Sequence, residues 1–213
     1  VVWVCSPNNP TGTIVTDVEL QNFLKQVPSD VLVVLDEAYI EYVNDPAHEP
    51  TLKYFREYEN VILLRTFSKA YGLASFRVGY GIAQEQVIAK LDPVRPPFNN
   101  TILSQQAALV ALGDQDYIAK CREANEKGKQ QYVAWCEKHG LHYYPSQTNF
   151  VLFEVKADSN VVFEEMMKRG FIIRSGAALG APSYIRVTIG TEEQNAKFLT
   201  LLEEVLKEQG VFA

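Results

Sequence analysis

Val31-Leu32-Val33-Val34-Leu35-Asp36-Glu37-Ala38-Tyr39 is the stretch whose reading decides the fold class. Its five apolar residues run without interruption and are mostly β-branched. That is the pattern of a parallel strand buried on both faces. The run stops at Asp36-Glu37. A carboxylate directly after a buried strand is partly desolvated and needs a cationic partner. Working outward, residues 1–5, 61–66 and 78–82 read as further strands. Between them Thr16 and Glu19 form a capping box that opens a helix over 17–26, and a short helical piece lies near 52–58. Helices alternating with apolar strands predict an α/β fold with a mainly parallel sheet.

Further helices are expected over 84–91 and 101–112, and Gly113-Asp114 then punctuates the chain. A long helix is expected over 116–139, with Ile118, Cys121, Ala124, Gly128, Tyr132, Trp135 and Cys136 in a 3.6-residue rhythm and Gly140 as its stop. Lys127 and Lys129 read as its solvated face. Strands are expected over 150–155, 171–174 and 184–189, and helices over 161–169 and from Thr191 to about residue 208. Residues 1–113 thus form one domain, and 114–213 a smaller C-terminal α+β domain.

Composition narrows the function classes. A net charge of −6 argues against a nucleic-acid partner, though not against one local anion site. No apolar run approaches the length of a membrane span, so no membrane partner is expected. Three cysteines, Cys5, Cys121 and Cys136, lack CxxC spacing and read as reduced, buried thiols of a cytoplasmic protein. His48, His139 and His142 lack metal-ligand spacing, so no metal is expected.

In open α/β sheets, ligands bind outside the carboxyl ends of the strands. Asn9 follows the first strand there, in a proline-rich turn whose X-Pro bonds are candidates for the cis form. Asp36 and Tyr39 follow the second. Thr66, Ser68 and Lys69 follow the third, with Arg77 further on. Read alone, Lys69 is either a surface lysine or an amine able to condense with an aldehyde whose phosphate is gripped nearby. The groups at the neighbouring strand ends favour the second reading. A protonated pyridine nitrogen would serve as the cation Asp36 needs.

Asn9-Pro10-Thr11-Gly12, Asp36-Glu37-Ala38-Tyr39, Ser68-Lys69 with Arg77, and Arg186 in Tyr184–Thr191 resemble the signatures of fold-type I pyridoxal-phosphate aminotransferases, in order and approximate spacing. The nearest subgroup is that of the histidinol-phosphate aminotransferases. The resemblance implies pyridoxal 5'-phosphate as cofactor, with Lys69 as its point of attachment and the proton carrier. It implies Asp36 on the ring nitrogen, Asn9 and Tyr39 on the ring's phenolic oxygen, and Ala38 flat against the ring. Thr66, Ser68 and Arg77 would hold the phosphate. Arg186 would bind the substrate's anionic group, with Arg174 and Asn149 as further substrate candidates. Plainer alternatives for the last two are a surface ion pair and a turn residue.

The implied reaction is transamination between histidinol phosphate and glutamate or 2-oxoglutarate, in histidine biosynthesis, by a cytoplasmic homodimer. Alternatives are an aromatic amino acid aminotransferase, a decarboxylase of a phosphorylated amino acid, or a non-catalytic fragment of the fold. The chain opens without Met, inside an apparent strand, and the family extends well over a hundred residues further at that end. The expectation is therefore a truncated chain with part of the phosphate cup and impaired transaminase activity.

Overall fold

The computed structural model of the chain describes residues 1–212. They pack as two compact units, one of Val1–Pro7 with Ile14–Arg122, the other of Asn8–Thr13 with the chain from Glu123 onward.

The first unit contains β1 (Val2–Cys5), α1 (Asp17–Leu24), β2 (Val33–Asp36), α2 (Tyr54–Glu57), β3 (Val61–Thr66), β4 (Gly79–Ile82), α3 (Glu85–Leu91) and α4 (Ile102–Gly113). The sheet order is β1-β2-β3-β4, with β1, β2 and β3 parallel and β4 antiparallel to β3. In register, Asp36 lies between Cys5 and Leu64, and Tyr80 lies opposite Arg65. The return of β4 needs Gly79, because a Cβ there would meet the Arg65 carbonyl oxygen at 2.7 Å. α1 starts where expected, with both arms of the Thr16–Glu19 capping box present. Its Leu20 and Leu24 pack on Val33, Leu35, Val61 and Leu63 of the sheet. A second cluster joins Phe67, Val78 and Ala108.

β1 departs from the buried strand expected there. Among the described residues it pairs with β2 alone, and Val2, Trp3 and Cys5 are exposed. The expectation of three buried thiols is corrected accordingly: Cys5 is exposed, Cys121 partly buried and Cys136 buried, and all three are free.

α5 (Gln115–His139) runs unbroken past the first unit's last residue, Arg122. The second unit continues with β5 (Phe150–Glu154), α6 (Ser159–Lys168), β6 (Arg174–Ser175), β7 (Tyr184–Thr188) and α7 (Glu192–Glu208). Its sheet is antiparallel, in the order β5-β7-β6. Tyr132 and Trp135 of α5, Phe153 of β5, Met166 of α6 and Phe198 and Leu202 of α7 share one core. Burying each stabilises the fold by about 1.5–3 kcal/mol.

Two local expectations are corrected here. The strand expected over 171–174 shrinks to Arg174–Ser175, because the preceding residues close α6: Gly170 has φ +87° and Phe171 N donates to Met166 O at 2.9 Å. Lys129 is buried rather than solvated. Its Nζ donates to Ser146 O at 3.1 Å and pairs with Glu126 at 2.6 Å. Lys127 does face solvent, paired with Glu123. Gly128 is required between them, since a Cβ would stand 2.4 Å from Ile189 Cγ2.

Candidate active site

The ends of β2 and β3 in the first unit carry the chemistry. Asp36, the last residue of β2, is partly buried. Its Oδ1 accepts from Ala38 N at 3.1 Å, which folds the chain back after the strand. Ser6 N donates to its main-chain oxygen at 3.0 Å. The Cys5 thiol lies 4.0 Å from Oδ2, and burial, with Asp36's charge, pushes that thiol up from its usual range. Tyr39 is buried.

β3 ends at Thr66, whose Oγ1 accepts from Ser68 N at 3.0 Å. A tight turn follows, with Gly72 N donating to Lys69 O and Leu73 N to Phe67 O, both at 2.9 Å. Phe67 anchors this turn against Tyr71 and Tyr80, with ring centroids 4.9 and 5.6 Å away. Ala70 is buried beside it, and Lys69 is left exposed at the tip. Its Nζ lies 5.3 Å from the centre of the Tyr39 ring. Thus the second and third strand ends bring Asp36, Tyr39, Thr66, Ser68 and Lys69 into one region of one unit.

Arg77 is exposed, in the left-handed region at φ +52°, with Nη1 donating to Ala74 O at 2.7 Å. A non-glycine residue is rarely held there, and such positions cluster at ligand sites. Lys69 and the rest of the Arg77 guanidinium have no protein acceptor among the described residues. An open amine, an open guanidinium and a partly buried carboxylate match the carbonyl, phosphate and pyridinium of pyridoxal 5'-phosphate, so this donor set fits that group.

The remaining predicted residues lie in the second unit. Ser6-Pro7 and Asn9-Pro10 are both cis, and Asn9 Oδ1 accepts a hydrogen bond from Arg186 Nη1. The Arg186 guanidinium lies 4.8 Å from the centre of the Phe150 ring. Arg174 is exposed and directly opposite Arg186 in the β6–β7 register, so both project from one face. Opposed like charges repel, and an anion between them would relieve that repulsion. Asn149 is partly buried, and its carbonyl accepts from Ile189 N at 2.9 Å. Among the described residues no group of His, Cys, Asp and Glu forms a metal site. No helix there is long and apolar enough to cross a membrane.

Sequence reasoning missed Glu37 and Arg65. They form a 2.8 Å ion pair behind the strand ends. The signal available was a second acid after Asp36 and an arginine inside an otherwise apolar strand.

The family model for aminotransferase class I and II matches residues 1–202. The chain belongs to this family. Histidinol-phosphate aminotransferase of Lysinibacillus sphaericus is 68% identical over 213 residues, covering all of this chain and 58% of that protein. The Bacillus subtilis protein of the same name is 54% identical over 206 residues, 97% of this chain and 57% of that protein. The chain thus spans well under two-thirds of the curated relatives it matches. The crystal structure of histidinol-phosphate aminotransferase from Sinorhizobium meliloti in complex with pyridoxal-5'-phosphate superposes with a TM-score of 0.89 at 30% identity, covering 98% of this chain and 57% of that one. The chain has the fold-type I aminotransferase fold.

Proposed function

We propose that the protein is a pyridoxal-phosphate-dependent aminotransferase that exchanges an amino group between histidinol phosphate and 2-oxoglutarate. The observation that carries this reading is the shared region of Asp36, Tyr39 and Lys69 at adjacent strand ends. The 68% identity to a relative named for that reaction supports the substrate.

Pyridoxal 5'-phosphate, when bound, supplies the electron sink for a carbanion at the substrate's Cα. The chain's own residues do the rest. Lys69 Nζ would be the cofactor's point of attachment and, as a free amine, would accept the proton from the substrate's Cα. An exposed turn tip suits this, because the amine must reach two atoms in succession. Asp36 would hold the proton on the ring nitrogen, and Tyr39 would donate to the ring's phenolic oxygen. Asn9 is assigned to that oxygen by the family resemblance. Ala38 is small enough to lie flat against a ring. Thr66, Ser68 and Arg77 hold the phosphate, Arg77 by a charge-assisted fork.

In the second unit, Arg186 and Arg174 form an anion-binding pair for the phosphate of histidinol phosphate or a carboxylate of glutamate. Asn9 and Phe150 hold Arg186 in place. Asn149 is a further substrate contact. A homodimer in the cytoplasm, serving histidine biosynthesis, completes the proposal.

The test uses the encoded protein with added pyridoxal 5'-phosphate. A near-visible absorption band is expected, with the cofactor fixed to Lys69 by borohydride. Glutamate should form only in the presence of 2-oxoglutarate and histidinol phosphate together. Absence of the band sinks the reading, and release of CO2 from a phosphorylated amino acid without amino transfer redirects it to a decarboxylase.

A further inference from the structure

One ion pair lies behind the reactive strand ends and takes no part in the chemistry above. Glu37 is 2% exposed, and its Oε2 accepts from Arg65 Nε at 2.8 Å. Arg65 Nη2 also reaches Thr51 Oγ1 at 3.4 Å. The pair sits at a telling place in the chain. Glu37 lies between Asp36 and Ala38, and Arg65 between Leu64 and Thr66. The main chain joins the same two strands, with Glu37 N donating to Leu64 O at 2.9 Å. Side chains alternate along β3, so Arg65 and Thr66 face opposite sides of the sheet. The pair therefore clamps, from behind, the two strand ends whose front carries the proposed site.

Such a pair is a poor device for stability alone. Desolvating two charges offsets most of their attraction, and an apolar pair of similar volume would hold the strands as well. What the ion pair adds is one short, directional bond at a fixed register.

We propose that the Glu37–Arg65 pair is a positioning device: it fixes the end of β2, with Asp36 and Tyr39, against the end of β3, with Thr66, Ser68 and Lys69. This inference rests on the roles given above to Asp36 and Lys69. A misplacement of about 1 Å between reacting groups costs on the order of a hundredfold in rate. The neighbouring Glu41 is 9% exposed, and its Oε2 has no hydrogen-bond partner among the described residues. Burial pushes its carboxyl up to about 7. Near neutral pH it is therefore partly uncharged, which leaves the Arg65 guanidinium to Glu37.

Three variants of the encoded protein, loaded with pyridoxal 5'-phosphate, test the inference: Glu37→Gln, Arg65→Lys, and the double variant Glu37→Leu with Arg65→Met. The readouts are thermal melting, kcat and KM separately, and the pH midpoint of the lysine-bound cofactor's absorption band. The double variant is expected to melt near the parent, because both charges leave together. It should lose about tenfold to a hundredfold in kcat, keep KM within about twofold, and shift the band's pH midpoint. Arg65→Lys keeps the charge but not the directed Nε–H, so it should recover part of kcat. A double variant with parental kcat and midpoint overturns the proposal, and so does failure of all three variants to fold with cofactor, which would make the pair a fold element only. If the parent itself shows no band, the reading of Lys69 fails and this inference with it. A parental band with unmoved variants overturns this inference alone.

Discussion

The two units treat their polar groups differently. In the second, Arg169 and the buried Asn195 use their side-chain hydrogen bonds to hold the fold. Arg169 donates to both oxygens of Glu208, at 2.9 and 2.8 Å, and to Glu165 at 2.8 Å. The buried Asn195 side chain meets Tyr132, Gln131 and both main-chain groups of Gly190. In the first, the groups at the ends of β2 and β3 are left with open valences. Lys69 touches an aromatic ring rather than a carboxylate, and Arg77 gives one of its N–H groups to a carbonyl. Elsewhere in that unit the buried Glu37 carboxylate is paired with Arg65, while the buried Glu41 Oε2 has no hydrogen-bond partner among the described residues. The open groups at the ends of β2 and β3 are those to which the proposed function assigns a ligand. In the second unit Arg174 lies opposite Arg186, which is itself held by Asn9 and the Phe150 ring, and the proposed function uses that opposition.

The sharpest way to break this contrast is to remove an open group and a closed one. Lys69→Ala should cut turnover by about 10⁴-fold or more, yet leave thermal melting unchanged, because exposed Lys69 makes no ion pair. A melting loss comparable to a core variant's would show that Lys69 serves the fold. Phe153→Ala in the second unit should do the reverse. Phe153 is fully buried and touches Tyr132 and Trp135, so its truncation should cost about 3–5 kcal/mol in denaturant unfolding.

Glu41 sharpens the comparison through pH. Arg65, Glu37, Arg122, Tyr42 and Tyr71 are the titratable groups around it. Burial is the largest cause of its raised value of about 7, against 4.5 for an exposed glutamate. The folded state therefore keeps a proton that the unfolded chain has released. The stabilisation is fully present below pH 4.5 and is lost as pH rises through about 7. It amounts to up to about 3 kcal/mol across that window. Glu41→Gln should flatten the fall in unfolding free energy between pH 5 and 7. An unchanged slope would place the titration elsewhere. Gly128→Ala should cost less, about 1–3 kcal/mol by overpacking, since the new methyl meets Ile189 and Asn195 in a closed core. A neutral result in thermal melting would show that α5 can shift away.

Much of this was legible in residue patterns, for identifiable reasons. Val33–Asp36 is a strand because an unbroken apolar run can satisfy only a doubly covered sheet position. Capping boxes locate two helix starts to the residue, because the hydrogen bonds involved span only three positions. Edge status was not legible: the run at β1 reads like that at β2, and only pairing shows that Cys5 has a neighbour on one side among the described residues. Burial of Lys129 was hidden likewise, since its acceptor, the Ser146 carbonyl, is a main-chain atom distant in sequence. The open groups at Asp36, Lys69 and Arg77 were legible as residue types at strand ends. Their support by Glu37 and Arg65 was not, because an ion pair across two strands leaves no periodic trace.

The smallest predicted effect uses the one device that both units share. Thr16 caps α1 and Thr191 caps α7, each with a full capping box. Thr191→Ala should cost about 1 kcal/mol, independent of acid pH, because its reciprocal partner Gln194 carries no titrating group. Thr16→Ala should differ in that respect. Its partner is the Glu19 carboxylate, which accepts from Thr16 Oγ1 at 2.6 Å and Thr16 N at 2.9 Å. Those bonds hold Glu19 below the usual carboxylate range, the side-chain bond most strongly. A depressed acid stabilises the fold above its unfolded value and loses that contribution as pH falls through the folded one. The penalty of Thr16→Ala should therefore shrink in acid while that of Thr191→Ala stays level. Melting curves of both variants and the parent at pH 3 and pH 7 decide it, and parallel losses at both pH values would mean that Glu19 contributes no charge-dependent cap.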